Sequence, residues 1–150
     1  QGTVHSGSYE IEIKKEFPQL VIEQEACPMW VPLIENNEQH AEGADYFVKK
    51  HINQILQRDP EIDTLLLACT HYPLLKDKII SLLPDGVTLI TQGEIVAESL
   101  QQYLGRHPEI KTRLSKGGRR EFYTTDAVAD FDNKASVFFG AAVHSKHTAL

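Results

Sequence analysis

The chain has 150 residues, the size of one ordinary domain. Its 15 Lys and Arg stand against 21 Asp and Glu, and the formal charge of −6 argues against a general nucleic-acid binder, whose electrostatic footprint is basic. Apolar residues make up 41% and charged residues 24%, as in a globular protein rather than a disordered one. No apolar run approaches the ~20 residues of a membrane helix. Two cysteines cannot build a disulfide framework, so free thiols in a reducing cytosol are the expectation. Gln1-Gly2-Thr3 shows neither a starting Met nor a signal peptide behind it, and it reads like the middle of a longer chain.

Taken in order, Ser6 or Ser8 is expected to cap a first helix with Tyr9, Ile13 and Phe17 on one face, ended by Pro18. Leu20 to Gln24 reads as a short strand, and Cys27 to Pro32 as a loop stiffened by two prolines. The clearest periodicity follows. Ala44, Phe47, Val48, His51, Ile52, Ile55 and Leu56 fit the i, i+3, i+4, i+7 helix template, and Asp59-Pro60 stops it. Asp63 to Ala68 is a continuous apolar strand, expected to be buried on both faces of a parallel sheet. Pro73 suits the first turn of a helix reaching Leu82, and Val87 to Ile90 is another strand.

Ile95, Val96, Ser99, Leu100, Tyr103 and Leu104 mark a further amphipathic helix. Gly105 to Arg120 reads as an exposed loop, and Glu121 to Thr124 as a last strand. Asp126 is expected to cap a helix that carries Val128, Phe131, Ala135 and Phe138 inward, and the tail from His144 to fray. Alternating strands and helices predict an α/β fold with a parallel sheet flanked by helices. Ligands of such sheets bind beyond the carboxyl ends of strands, which singles out the residues after Ala68.

Cys69-Thr70-His71 occupies that strand end. A thiol there can act as nucleophile or proton carrier if a helix amino terminus or an imidazolium lowers its pKa. The N–H groups of the following helix and the Thr70 hydroxyl suit a carboxylate, and His71 can carry a proton near neutrality. A buried, unreactive cysteine beside a capping histidine explains the same residues, and on spacing alone it is the commoner case. Cys27 sits among prolines with no adjacent base and reads as structural. Cys69 and His71 lack further ligands at zinc spacing, so no metal is expected. Glu35 can orient a base or simply sit on a solvated helix start. Thr3 with Ser6 gives a weak anion-site signal, with helix capping as the plain alternative. Tyr9 reads as core-facing, and the basic run Lys116 to Arg120 as a solvated loop.

The run Leu65-Leu66-Leu67-Ala68-Cys69-Thr70-His71-Tyr72-Pro73-Leu74-Leu75 resembles the second cysteine motif of the glutamate racemase family. Three further segments resemble that family in order and spacing: Gly2-Thr3-Val4-His5-Ser6-Gly7-Ser8-Tyr9, Ala26-Cys27-Pro28 through Val31-Pro32-Leu33-Ile34-Glu35, and Glu121-Phe122-Tyr123-Thr124-Thr125. The resemblance covers nearly the whole chain but only part of a racemase. It implies two pseudo-symmetric α/β domains, each supplying a catalytic cysteine. The first domain's Asp-Ser-Gly, Pro-Tyr-Gly and Cys-Asn-Thr segments have no counterpart here.

By this resemblance residues 1–92 are most of the second domain without its first strand, and residues 93–150 return to complete the first domain. Thr91-Gln92-Gly93 departs from the family's usual Asp-Ser-Gly at that place. The implied chemistry is proton transfer without a cofactor. One thiolate removes the α-proton of glutamate and an opposing one protonates the other face, so two bases must flank one carbon. Cys69 would be the base toward L-glutamate, with His71 assisting its proton exchange and Glu35 in support. Thr70 and Thr3 would contact substrate carboxylates. The implied partners are the glutamate substrate and copies of this chain drawn together by exposed apolar surface, with neither nucleic acid nor membrane; the implied place is the cytoplasm, making D-glutamate for peptidoglycan. With the opposing cysteine missing, the chain alone is expected not to racemise. The alternatives are a non-catalytic ligand- or partner-binding remnant, a superfamily racemase or isomerase acting on aspartate, hydantoins or maleate, and a thiol hydrolase.

Overall fold

The structure is a computed structural model that describes residues 1–149. The chain divides into two compact units, Gln1–Gln92 and the residues from Gly93 onward.

The first unit opens with two helices, α1 (Gly2–His5) and α2 (Ser8–Glu16). Neither Ser6 nor Ser8 caps them as expected. Gly7 occupies the N-cap position of α2 with φ 62°, a left-handed conformation that costs glycine little, while the two serine hydroxyls bond to each other. Phe17 follows α2 and is exposed rather than inward.

The expected strand at Leu20–Gln24 does not form. The segment lies without a strand ladder, because its neighbours across a cavity do not come within hydrogen-bonding reach; side chains hold it instead. Arg58 donates to the Gln24 carbonyl and to Glu25, whose other carboxylate oxygen shares a 2.7 Å hydrogen bond with His51 Nδ1.

Helix α3 (Trp30–Glu35) and helix α4 (Glu42–Arg58) come next. Glu42 and Asp45 lie in the first turn of α4 and Arg58 in the last, each at the end of the helix dipole that favours it. The predicted apolar stripe is observed: Ala44, Val48, His51, Ile52 and Ile55 are buried. Val48, Ile52 and Ile55 pack with Trp30 and Ile34 of α3 and with Leu65 and Leu67 of strand β1 (Thr64–Leu67).

Strand β1 is not buried on both faces as expected. Leu65 and Leu67 are buried, whereas Thr64 and Leu66 are exposed, so one face alone is covered. Pro73 does begin a helical segment, a 3₁₀ turn at Tyr72–Leu75, which leads into α5 (Lys76–Ile80). That helix stops before Leu82. Leu75 of the 3₁₀ turn and Ile79 of α5 complete the core, and Lys78 reaches Asp45 of α4. Ile79 is fully buried, so Ile79→Val is expected to lower unfolding free energy by about 1 kcal/mol in urea titration. Strand β2 (Thr88–Thr91) pairs parallel to β1 in the register Leu65↔Leu89 and Leu67↔Thr91.

The second unit contains α6 (Gln92–Arg106, entered at the last residue of the first unit), α7 (Pro108–Lys111), β3 (Phe122–Thr124), α8 (Val128–Phe139) and β4 (Ser145–His147). The stretch expected to be loop therefore holds α7, started by Pro108, whose missing N–H costs nothing in a first turn. Ala127, not Asp126, is the N-cap of α8, and the Asp126 N–H donates to Thr124 Oγ1. Val128, Phe131 and Ala135 are half-buried, but Phe138 is exposed.

The tail does not fray at His144. Residues Ser145–His147 pair parallel to β3, because Asp132 accepts from the Ser145 N–H, Ser136 accepts from the Val143 N–H, and the Val143 side chain is buried. Helix α6 has no buried residue; Ile95, Val96, Leu100 and Tyr103 lie exposed along it. Among the described residues no helix is long and apolar enough to cross a membrane.

Candidate active site

Cys69 follows β1 at its carboxyl end, where the chain turns sharply. The Tyr72 N–H donates to the Cys69 carbonyl at 3.2 Å, and the Leu74 N–H to the His71 carbonyl at 3.1 Å. The tight turn brings His71 Nδ1 to 3.9 Å from Cys69 Sγ. On the other side of the ring, His71 Nε2 lies 3.2 Å from Glu35 Oε1.

Glu35 is distant in sequence and arrives there because α3 is anchored. Trp30 and Ile34 are buried in the core, Trp30 Nε1 donates to the Phe47 carbonyl of α4, and the Trp30 ring packs edge-on against Tyr72 at 4.8 Å. A thiol, an imidazole and a carboxylate thus stand in line. The carboxylate fixes the ring, and the ring faces the sulfur; this is the arrangement that moves a proton to and from a thiol.

A cavity of about 1150 Å³ lies between the Leu20–Ala26 stretch and β1. Cys69, Thr70 and Thr3 share its wall, while His71 and Glu35 do not. Thr3 sits on α1 and Thr70 in the turn, and both are exposed. Of the five residues singled out from sequence, Cys69, His71 and Glu35 stand in line, and Thr3 and Thr70 share a cavity wall with Cys69.

Cys27 differs in kind. It is buried, and burial pushes its thiol up to about 12, with the neighbouring Glu25 charge adding to the rise. The Tyr72 hydroxyl, bonded to Cys27, is raised as well, first by its own burial. A proton held this tightly stabilises the fold up to the ordinary thiol value of 9.0 and is lost between there and about 12, because the unfolded chain ionises first. Stability is therefore expected to fall as pH rises above about 9, and Cys27→Ala to remove the earliest part of that fall in thermal melts at stepped alkaline pH.

Sequence reasoning missed two features around the site. The Glu25–His51–Arg58 cluster carries no local signal, since its members are 26 and 33 residues apart. The Tyr9 hydroxyl donates to the Ala68 carbonyl at 3.4 Å and accepts from Gln92 Nε2 at 3.1 Å, so Tyr9 is a polar partner of the strand end rather than only a core residue.

No family model matches the chain. Glutamate racemase from Lactiplantibacillus plantarum is 34% identical over 151 residues, covering 100% of this chain and 55% of that protein. The chain belongs to the glutamate racemase family. Among solved structures, isoform RacE1 of glutamate racemase from Bacillus anthracis superposes with a TM-score of 0.81 at 29% identity, over 99% of this chain and 55% of that one. Glutamate racemase from Francisella tularensis, crystallised with D-glutamate, gives a TM-score of 0.81 at 25% identity, over 98% and 54%. The chain thus spans about half the length of the glutamate racemases it matches. The fold class expected from sequence, an incomplete racemase-like α/β architecture, agrees with these structures.

Proposed function

We propose that this chain is the part of a glutamate racemase that supplies the proton-transfer base acting on L-glutamate. The observation that carries the proposal is the line Cys69–His71–Glu35 at the carboxyl end of β1. Cys69 takes the α-proton as thiolate. His71, positioned by Glu35, carries that proton away and restores the thiolate, which calls for no cofactor. Thr70 and Thr3, on the cavity wall with Cys69, bind substrate carboxylates. The product, D-glutamate, serves peptidoglycan precursor synthesis in the cytoplasm.

Inversion at a carbon by proton transfer needs a second base on the opposite face. The sequence holds two cysteines, and Cys27 is buried with its proton held up to about 12. The opposing base therefore belongs to another part of the enzyme. In that complete enzyme the residues from Gly93 onward help finish the other domain, whose remaining part covers the apolar face of α6. Left uncovered, the α6 face favours association of copies. A non-catalytic remnant and a racemase for another substrate are both less favoured, since the relatives are glutamate racemases.

The test is racemisation of L-glutamate followed by polarimetry. The 150-residue chain is expected to give no rotation change. The same chain joined to the unmatched portion of the Lactiplantibacillus plantarum relative is expected to racemise. Activity of the chain alone, or a folded but inactive joined protein, would contradict the proposal.

A further inference from the structure

Three element ends meet beside Cys69 in the first unit. Tyr9 lies in the first turns of α2, Ala68 is the residue before Cys69, and Gln92 is the first residue of α6. The Gln92 amide donates to the Tyr9 hydroxyl, and that hydroxyl donates onward to the Ala68 carbonyl. A phenol that accepts one hydrogen bond and donates the next transmits orientation along the pair, and each bond polarises the other.

We propose that Gln92, acting through Tyr9, is a positioning residue that fixes the backbone at Ala68 and so holds Cys69 facing His71. The proposal rests on the reading of Cys69 as the proton-transfer base, but the geometry it describes is measurable without turnover. Loss of either link frees the Ala68 peptide, and the 3.9 Å approach of Cys69 Sγ to His71 Nδ1 loosens with it. The thiol then loses the imidazole that stands ready to take up its proton.

The test is the rate of iodoacetamide alkylation at Cys69 in the 150-residue chain, resolved by peptide mass spectrometry from about pH 6 to 10. Cys27, buried, serves as the unreactive internal control. Tyr9→Phe is expected to slow alkylation near neutrality by about three- to ten-fold, the scale of one lost hydrogen bond, and to move the midpoint of the pH profile upward. Gln92→Leu is expected to act in the same direction. The Tyr9→Phe/Gln92→Leu double variant should be no slower than Tyr9→Phe alone, because the two act in series. A merely structural pair would lower the melting temperature and leave the profile's midpoint in place, and that result overturns the proposal. So does additivity of the two substitutions. If the thiol responds as expected while Cys69→Ser leaves racemisation by the joined protein intact, the functional reading fails and the positioning stands.

Discussion

Cys69→Ser in the joined protein is expected to lower racemisation of glutamate by about 10²–10⁴-fold, the contribution of a positioned general base. A serine hydroxyl is close to isosteric with the thiol but does not ionise near neutrality, so the site keeps its shape and loses its base. The loss should appear in both directions, since the base for one enantiomer is the acid for the other. His71→Asn and Glu35→Gln leave the thiol in place, so their losses should be smaller and ordered by distance from the sulfur: His71 lies 3.9 Å from Sγ, and Glu35 acts through the ring at 3.2 Å. A Cys69→Ser variant that retains near-normal turnover, measured by polarimetry with the melting temperature as control, would remove Cys69 from the mechanism.

Glu25→Ala is expected to cost about 2 kcal/mol of unfolding free energy, within the range for losing a buried hydrogen bond to a charged group. The Glu25 carboxylate is about 10% exposed and His51 about 8%, so both partners have exchanged water for each other. Removing the carboxylate leaves the His51 Nδ1 side buried without its partner and frees the Arg58 guanidinium, which is 46% exposed and regains water, so the cost stays within that range. Because this cluster is what ties the unladdered Gln24–Glu25 stretch to α4, the loss should also loosen Cys27 and the cavity wall. Urea unfolding measures the first effect, and faster alkylation of Cys27 the second. A change under about 1 kcal/mol would mean that the cluster behaves as an exposed salt bridge.

The sequence made some of this legible and not the rest, for physical reasons. The α4 stripe was readable because a helix face repeats locally, and Val48, Ile52 and Ile55 all lie where the repeat puts them. The Cys69 turn was readable because an apolar strand, a chemically able triplet and Pro73 follow one another without interruption. Leu20–Gln24 has a strand's composition, yet a strand exists only when a neighbour accepts its hydrogen bonds, and none reaches it. The tail at Ser145–His147 is polar and looks loose, yet pairing with β3 and the Asp132 and Ser136 contacts hold it. Long-range partners such as Glu35 with His71, or Gln92 with Tyr9, leave no periodic trace. The family pattern suggested the first pair, and only coordinates reveal the second.

The central claim, that Cys69 is one of two opposed bases on glutamate, is tested most directly by a single turnover of L-glutamate by the joined protein in deuterated water. The recovered substrate and product are separated and read for deuterium at Cα by mass spectrometry. Two bases predict that D-glutamate carries solvent deuterium while unreacted L-glutamate keeps its proton, and that the deuterated product vanishes in Cys69→Ser. D-glutamate formed with its original proton, or labelled product that persists in Cys69→Ser, would contradict it.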